Sequence, residues 1–299
     1  MSRTRLVLGG IAIGIVSFSS LVGALASGGL ERLVWHDPRA SLFVRDTVVA
    51  HRGFSHAAPE NTLAAFRMAR DLGVMIELDV TLAESGEVVC IHDDDLDRTT
   101  DGSGPVAHAT HSEIRRLDAG SWFGEAFAGE RVPTLDAVFA EIDARTVIDI
   151  ELKTTDAKQA LAGAVVDAIR RAGRVDSVFV SSFDPFLLEQ VRLVEPSIRR
   201  AQLVDTFEGT DLAWYERVLL RNLAFNGQAQ PDIVIGGDGF VTREWVERQK
   251  RRGYLVMVYT INEPRRMREL VDWGVDAIIT DRPDVALTTL ASRGSNHPG

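Results

Sequence analysis

With 299 residues, 45% of them hydrophobic and 25% charged, the chain has the composition of a globular protein with a substantial core, which excludes a disordered polymer. A formal net charge of -10 excludes a surface built to neutralise nucleic-acid phosphates, so an anionic ligand has to meet a focused basic pocket. Cys90 is the only cysteine, which excludes an intrachain disulfide and a cysteine-based zinc cluster; its setting in VVCIH reads as a small buried apolar residue.

In chain order, Arg3 and Arg5 precede Leu6 to Leu30, a stretch without a charged residue. As a helix it would reach roughly 37 Å, enough for a hydrocarbon core of about 30 Å. Ser17, Ser19 and Ser20 weaken that span, and Ala24-Leu25-Ala26 before Ser27 resembles a small-residue cleavage site. Residues 1–30 are therefore expected to be a membrane anchor or a cleaved signal peptide. With Arg3 and Arg5 held inside, both readings put the rest outside the cytoplasm, either membrane-anchored or secreted. Residues 31–46 read as a linker and 291–299 as a mobile tail.

From Thr47 onward, short β-branched runs alternate with longer amphipathic stretches, the pattern of strand-helix units around a parallel sheet. Strands are predicted at 47–51, 74–82, 87–92, 146–152, 177–183, 200–204, 232–236, 254–260 and 276–280. Between the first two, TLAAFRMARDL places Leu63, Phe66 and the Arg70 stem on one helix face, just after Pro59, with Gly73 suited to close it. Only Ala83 to Gly86 separate the second and third runs, too few for a crossover helix, so these two form an antiparallel hairpin. A turn over Glu84 to Glu87 would set Asp79 opposite His92. The other eight strands suit an α/β fold, a distorted TIM-type (β/α)8 barrel over residues 47–290. Residues 95–131 interrupt the rhythm and read as an insertion, a lid or small subdomain with Trp122, Phe123 and Phe127 available to pack.

Polar residues recur at the carboxyl ends of otherwise apolar strands. His51 and Arg52 end the first, Glu77 and Asp79 sit two apart on the second, His92 and Asp93 end the third, and Glu151 and Lys153 sit two apart on the fourth. Strand side chains alternate, so each i, i+2 pair points the same way. One such residue alone reads as a solvated edge or a hydrogen-bonded core histidine; four strands ending alike at the catalytic end of a barrel point to a site. Glu77, Asp79 and Glu151, three carboxylates without sulfur, suit one hard divalent cation such as Mg²⁺ or Ca²⁺, with Mn²⁺ a further option. His51 and His92 suit a general acid and base, and Arg52 and Lys153 a clamp on a phosphate. A metal-assisted lyase with Lys153 as base, or a non-catalytic phosphate-binding barrel, would use some of the same residues.

The ordered series HRG, PENT, ELDV, VVCIHDDDLDRTTDGSG, RRLDAG, VPTLDAV, IELK, VYTINEP and GVDAIITDRP resembles the glycerophosphodiester phosphodiesterase family over residues 47–285. The resemblance implies a phospholipase-C-like barrel that hydrolyses glycerophosphodiesters to sn-glycerol 3-phosphate and an alcohol, or acts on lysophospholipids in a lysophospholipase D-like way. Carried over by position, it implies His51 and His92 as acid and base, Glu77, Asp79 and Glu151 as metal ligands, and Arg52 and Lys153 on the phosphate. Tyr259 stands where the family pattern has tryptophan, an aromatic substrate contact with an added hydroxyl. The expected register beside Asp79 favours His92 as the acid. The expected partners are a small glycerophosphodiester and, through residues 1–30, a membrane; no nucleic acid is expected.

Overall fold

A computed structural model describes residues 47–294. The expectations for residues 1–30 and 31–46, and for the tail beyond Gly294, lie outside the described residues. Among the described residues no helix is long and apolar enough to cross a membrane.

Nine strands form one sheet: β1 (Thr47–Ala50), β2 (Met75–Leu82), β3 (Val88–Cys90), β4 (Ile148–Leu152), β5 (Val178–Ser182), β6 (Arg199–Val204), β7 (Ile233–Gly237), β8 (Leu255–Tyr259) and β9 (Ala277–Thr280). Eight of them run parallel in the order β1-β9-β8-β7-β6-β5-β4-β2, and pairing of β1 with β2 closes the ring. This is the expected (β/α)8 barrel. The ninth, β3, pairs antiparallel with the end of β2.

The expected hairpin is present, but its register differs by one residue. The Ala83 N–H donates to the Glu87 carbonyl at 2.9 Å, and Gly86 takes a left-handed φ of 93°. The loop is therefore three residues long, with glycine at the position that needs positive φ. Val80 then pairs with Cys90, and the Ile91 N–H reaches the Asp79 carbonyl at 3.1 Å. Ile91, not His92, faces Asp79.

The outer layer comprises α1 (Leu63–Asp71), α2 (Leu135–Glu141), α3 (Lys158–Arg171), α4 (Pro185–Val194), α5 (Trp214–Arg221), α6 (Arg243–Arg251), α7 (Pro264–Asp272) and α8 (Pro283–Gly294), with short helical turns between. The first of these starts later than Pro59 suggests, because Thr62 is the N-cap; its hydroxyl accepts from the Ala65 N–H at 3.3 Å. Gly73 closes α1 at φ 72°, as expected. The last, α8, runs to Gly294 and takes up the first residues assigned to the tail.

Alternation along the strands divides the core. Val48, Ile76, Ile150, Val180 and Val256 face the helices. Val49, Met75, Phe179, Leu203, Ile235, Met257 and Ile279 fill the barrel's interior. Burying each large side chain stabilises the fold by about 1.5–3 kcal/mol. The inward series turns polar toward the carboxyl ends: after Met75 come Glu77 and Asp79, and after Val147 come Asp149 and Glu151. The barrel thus has an apolar floor and a charged mouth.

The insertion carries its own small core, in which Leu96, Val106, Ile114 and Ala119 pack with Val89 and Ile91 of the hairpin. Trp122, Phe123 and Phe127 are not part of it. They pack edge to face on one another, with ring centroids 5.7 and 5.4 Å apart, and Trp122 is 42% exposed.

Candidate active site

β1 ends at Ala50, so His51 and Arg52 leave the strand in a tight turn. Arg52 and Gly53 both take positive φ, 54° and 78°. A Cβ on Gly53 would lie 2.7 Å from the Ala65 backbone, which is why glycine is required where this turn presses on α1. The turn is docked on β2: the Gly53 N–H reaches the Glu77 carbonyl at 3.2 Å, and the Arg52 N–H donates to Glu77 Oε2 at 2.8 Å.

Parallel pairing sets Glu77 beside Asp149 and Asp79 beside Glu151. One oxygen from each of Glu77, Asp79 and Glu151 lies within 4.8 Å of the others, so these three carboxylates can hold a metal ion. Their charges are handled differently. Burial pushes the Asp79 carboxyl up, but Lys153, Arg52, His92 and a hydrogen bond from Asn61 outweigh it and hold Asp79 below the usual carboxylate range. Glu77 is pushed well up, first by burial and then by Asp79, Glu151 and Asp149. Its Oε1 is buried and accepts no hydrogen bond among the described residues. An orphaned carboxylate oxygen amid further carboxylates, with an all-oxygen donor set, fits a hard divalent cation.

Two cations complete the cluster. Lys153 Nζ lies 2.8 Å from Glu151 Oε1 and 3.3 Å from Asp79 Oδ1. Burial acts to lower its pKa, yet the two carboxylates outweigh burial and the ammonium holds its proton more tightly than usual. Arg52 reaches Glu60 at 2.7 Å and Asp79 at 3.3 Å.

Each histidine is anchored through Nδ1 to a carboxylate. His51 Nδ1 is 2.7 Å from Asp281 Oδ1, and His92 Nδ1 is 2.6 Å from Asp93 Oδ1. Such a partner fixes the ring and leaves Nε2 for proton transfer. Asp281 also accepts from Asn262 at 2.7 Å and Ser55 at 3.1 Å; burial opposes ionisation, but these bonds and His51 bring its pKa down to about 2. Asp93 is likewise held at about 2, chiefly by the Arg98 hydrogen bond. Although His92 is not in register with Asp79, Asp79 still feels its charge.

Several supporting residues escaped the pattern of strand ends. Asn61, at φ 56°, donates to Asp79 Oδ2 at 2.8 Å and accepts from the Asp79 N–H at 3.1 Å. Glu60 joins Arg52 to Arg98, and Asp281 orients His51. Asp149 lies buried beneath the cluster, with Ser181 donating to it at 2.7 Å. Asn61 and Glu60 lie in PENT, and Asp281 and Asn262 close the last two motif blocks, so their signal was the motifs rather than the strands. Tyr259 sits at the end of β8, its hydroxyl donating to Asp205 Oδ2 at 2.9 Å and its ring 6.2 Å from that of Phe183. Cys90 is 1% exposed and burial raises its thiol pKa, in keeping with an inert apolar role.

The profile of the glycerophosphoryl diester phosphodiesterase family matches residues 51–285, a span that contains the turn, the carboxylates and both histidines. The chain belongs to this family. A glycerophosphodiester phosphodiesterase of Caldanaerobacter subterraneus subsp. tengcongensis is 35% identical over 259 residues, covering 84% of this chain and 100% of that protein. An Oleispira antarctica phosphodiesterase, solved in complex with the product sn-glycerol-3-phosphate, superposes with a TM-score of 0.74 at 31% identity over 84% of this chain and 98% of its own. A glycerophosphodiester phosphodiesterase from Agrobacterium tumefaciens gives a TM-score of 0.65 at 32% identity over 81% and 99% of the two chains. Membership of the glycerophosphoryl diester phosphodiesterase family accounts for the barrel together with the motif order along it.

Proposed function

We propose that this chain hydrolyses glycerophosphodiesters to sn-glycerol 3-phosphate and an alcohol. The reading is supported by relatives named for that activity and by one with the product bound. The observation that carries it is the convergence at one barrel mouth of three carboxylate oxygens within 4.8 Å and two histidines each anchored to a carboxylate.

Glu77, Asp79 and Glu151 would hold one divalent cation, Mg²⁺, Ca²⁺ or Mn²⁺, which when bound supplies a Lewis acid at the phosphate. Arg52 and Lys153 bring positive charge to the same place and favour the extra negative charge that develops on the phosphoryl oxygens. His51, held by Asp281, accepts the proton of the attacking water, or of a glycerol hydroxyl, in which case water then opens the cyclic phosphate to sn-glycerol 3-phosphate. His92 lines the adjoining cavity and donates a proton to the departing alcohol. Asp281 and Asp93 keep Nδ1 of each ring occupied, so the exchanging proton resides on Nε2. Residues 1–30 would deliver the barrel outside the cytoplasm, tethered to the membrane or released from it.

Product analysis by ³¹P NMR with glycerophosphocholine tests the reading. The expected products are sn-glycerol 3-phosphate and choline, with His51→Ala and His92→Ala each lowering kcat by about 10²–10⁴-fold. Release of phosphocholine and glycerol, or no turnover with any added divalent ion, would overturn it.

A further inference from the structure

From His92, Glu151 and Lys153 a cavity of about 970 Å³ runs toward the segment after β6. Its size suits a small ligand rather than one phosphate alone. Carboxylates on its lining outnumber cations eight to two among the described residues, and both cations, Arg98 and Lys153, already pair with carboxylates. The segment after β6 contributes Asp205, Glu208 and Asp211 to the lining.

Asp205 is built into this wall. Its carboxylate accepts from the Tyr259 hydroxyl at 2.9 Å and from the Thr206 N–H at 2.6 Å. It occupies space that exists only because β7 ends in glycine: a Cβ on Gly237 would lie 2.8 Å from the Asp205 carboxylate. Beside it Phe183 and Phe207 line the cavity with ring centroids 5.9 Å apart, edge to face. Phe207 is held at a left-handed φ of 55°, a conformation that costs a bulky residue and that the surrounding packing has to maintain. Aromatic rings next to fixed carboxylates attract an organic cation, through the ring quadrupole and through direct charge, and repel an anionic group.

We propose that this cavity is an ammonium subsite, and that the alcohol half of the preferred substrate carries a primary or quaternary ammonium group. The inference rests on the hydrolase reading above and deepens it by naming the class of leaving group. A departing amino alcohol lying here has His92 at its oxygen end and the wall of Asp205, Phe183 and Phe207 at its cationic end. The replacement of the family's tryptophan by Tyr259 then has a specific consequence, since the added hydroxyl orients Asp205.

The test compares kcat/KM for glycerophosphocholine and glycerophosphoethanolamine with that for glycerophosphoglycerol, whose alcohol is neutral, at saturating divalent ion. The cationic substrates are expected to be preferred by about tenfold or more, with the ratio shrinking in part as salt is raised from about 0.02 to about 0.5 M, since charges held in a cavity are screened less than exposed ones. Asp205→Asn is expected to reduce the ratio by about tenfold, and the exposed pair Glu208→Gln/Asp211→Asn, which spares the Tyr259 contact, to reduce it by a smaller factor with a weaker salt dependence. Equal kcat/KM on charged and neutral alcohols, or a ratio unmoved in both variants, would overturn the subsite while leaving the hydrolase reading intact. Failure to cleave any of the three diesters would overturn the hydrolase reading, and the subsite with it.

Discussion

Replacing Asn61 by alanine probes how the carboxylates proposed to bind the cation are held. Asn61 is 4% exposed and contacts one partner twice, donating to Asp79 Oδ2 at 2.8 Å and accepting from the Asp79 N–H at 3.1 Å. A hydrogen bond to a charged group contributes about 1.5–3 kcal/mol, and a buried amide left without its acceptor costs about 1–3 kcal/mol. Alanine at φ 56° also loses the tolerance that asparagine has for the left-handed region, about 1 kcal/mol. These overlap, since a water can enter the vacated space, so a total of about 2–4 kcal/mol is expected. Urea denaturation in chelator should show that loss as a lower midpoint at constant m value, and divalent-ion affinity should fall about 10–100-fold because Asp79 is no longer oriented. Asn61→Asp keeps the shape and the acceptor but sets a second negative charge against Asp79 Oδ2, so its destabilisation should be larger in chelator and partly relieved by the ion. A loss below about 1 kcal/mol in Asn61→Ala together with unchanged ion affinity would refute the idea that Asn61 positions Asp79.

Gly53→Ala forces an unfavourable φ and a 2.7 Å approach to Ala65, so a loss of about 2–4 kcal/mol by thermal or urea denaturation is expected, with reduced kcat as His51 and Arg52 shift; wild-type stability would contradict the account of that turn. Asp281 has a folded pKa of about 2 against an ordinary 3.8, so its contribution is complete above about pH 4 and drains away as pH falls toward 2. After allowance for its partial exposure that contribution is about 1–2 kcal/mol, and the stability gap between wild type and Asp281→Asn should narrow from pH 6 to pH 3; a gap independent of pH would count against the His51 pairing. If His92 is the general acid, the residual kcat/KM of His92→Ala should lose the high-pH limb of the wild-type profile, and retention of that limb would reassign the acid.

The barrel and the core of its mouth were legible because both depend on strand alternation. Glu77 and Asp79 stand two apart on β2, and Glu151 stands two before Lys153, which lies just past the end of β4, so parallel pairing had only to set Asp79 beside Glu151. The hairpin was legible from its short connection, but its register was not, because the choice between a three- and a four-residue loop depended on Gly86 adopting φ 93°. Supporting contacts were hidden for a different reason. Asp281 meets His51 across 230 residues, and Asn61 meets Asp79 from a loop with no periodicity. Where the aromatic residues of the insertion pack was not legible, because hydrophobicity alone does not say which side of a small subdomain is covered; Leu96, Val106 and Ile114 fill its core, while Trp122, Phe123 and Phe127 pack on one another outside it.

The central claim is that Glu77, Asp79 and Glu151 cage a divalent ion on which diester cleavage depends. Turnover of glycerophosphocholine measured against free Mg²⁺ or Ca²⁺, after the ion has been removed by chelator, tests it most directly. The account predicts no sn-glycerol 3-phosphate without the ion and a saturable one-site recovery as it is added back. Release of that product at the full rate from ion-free protein would contradict it.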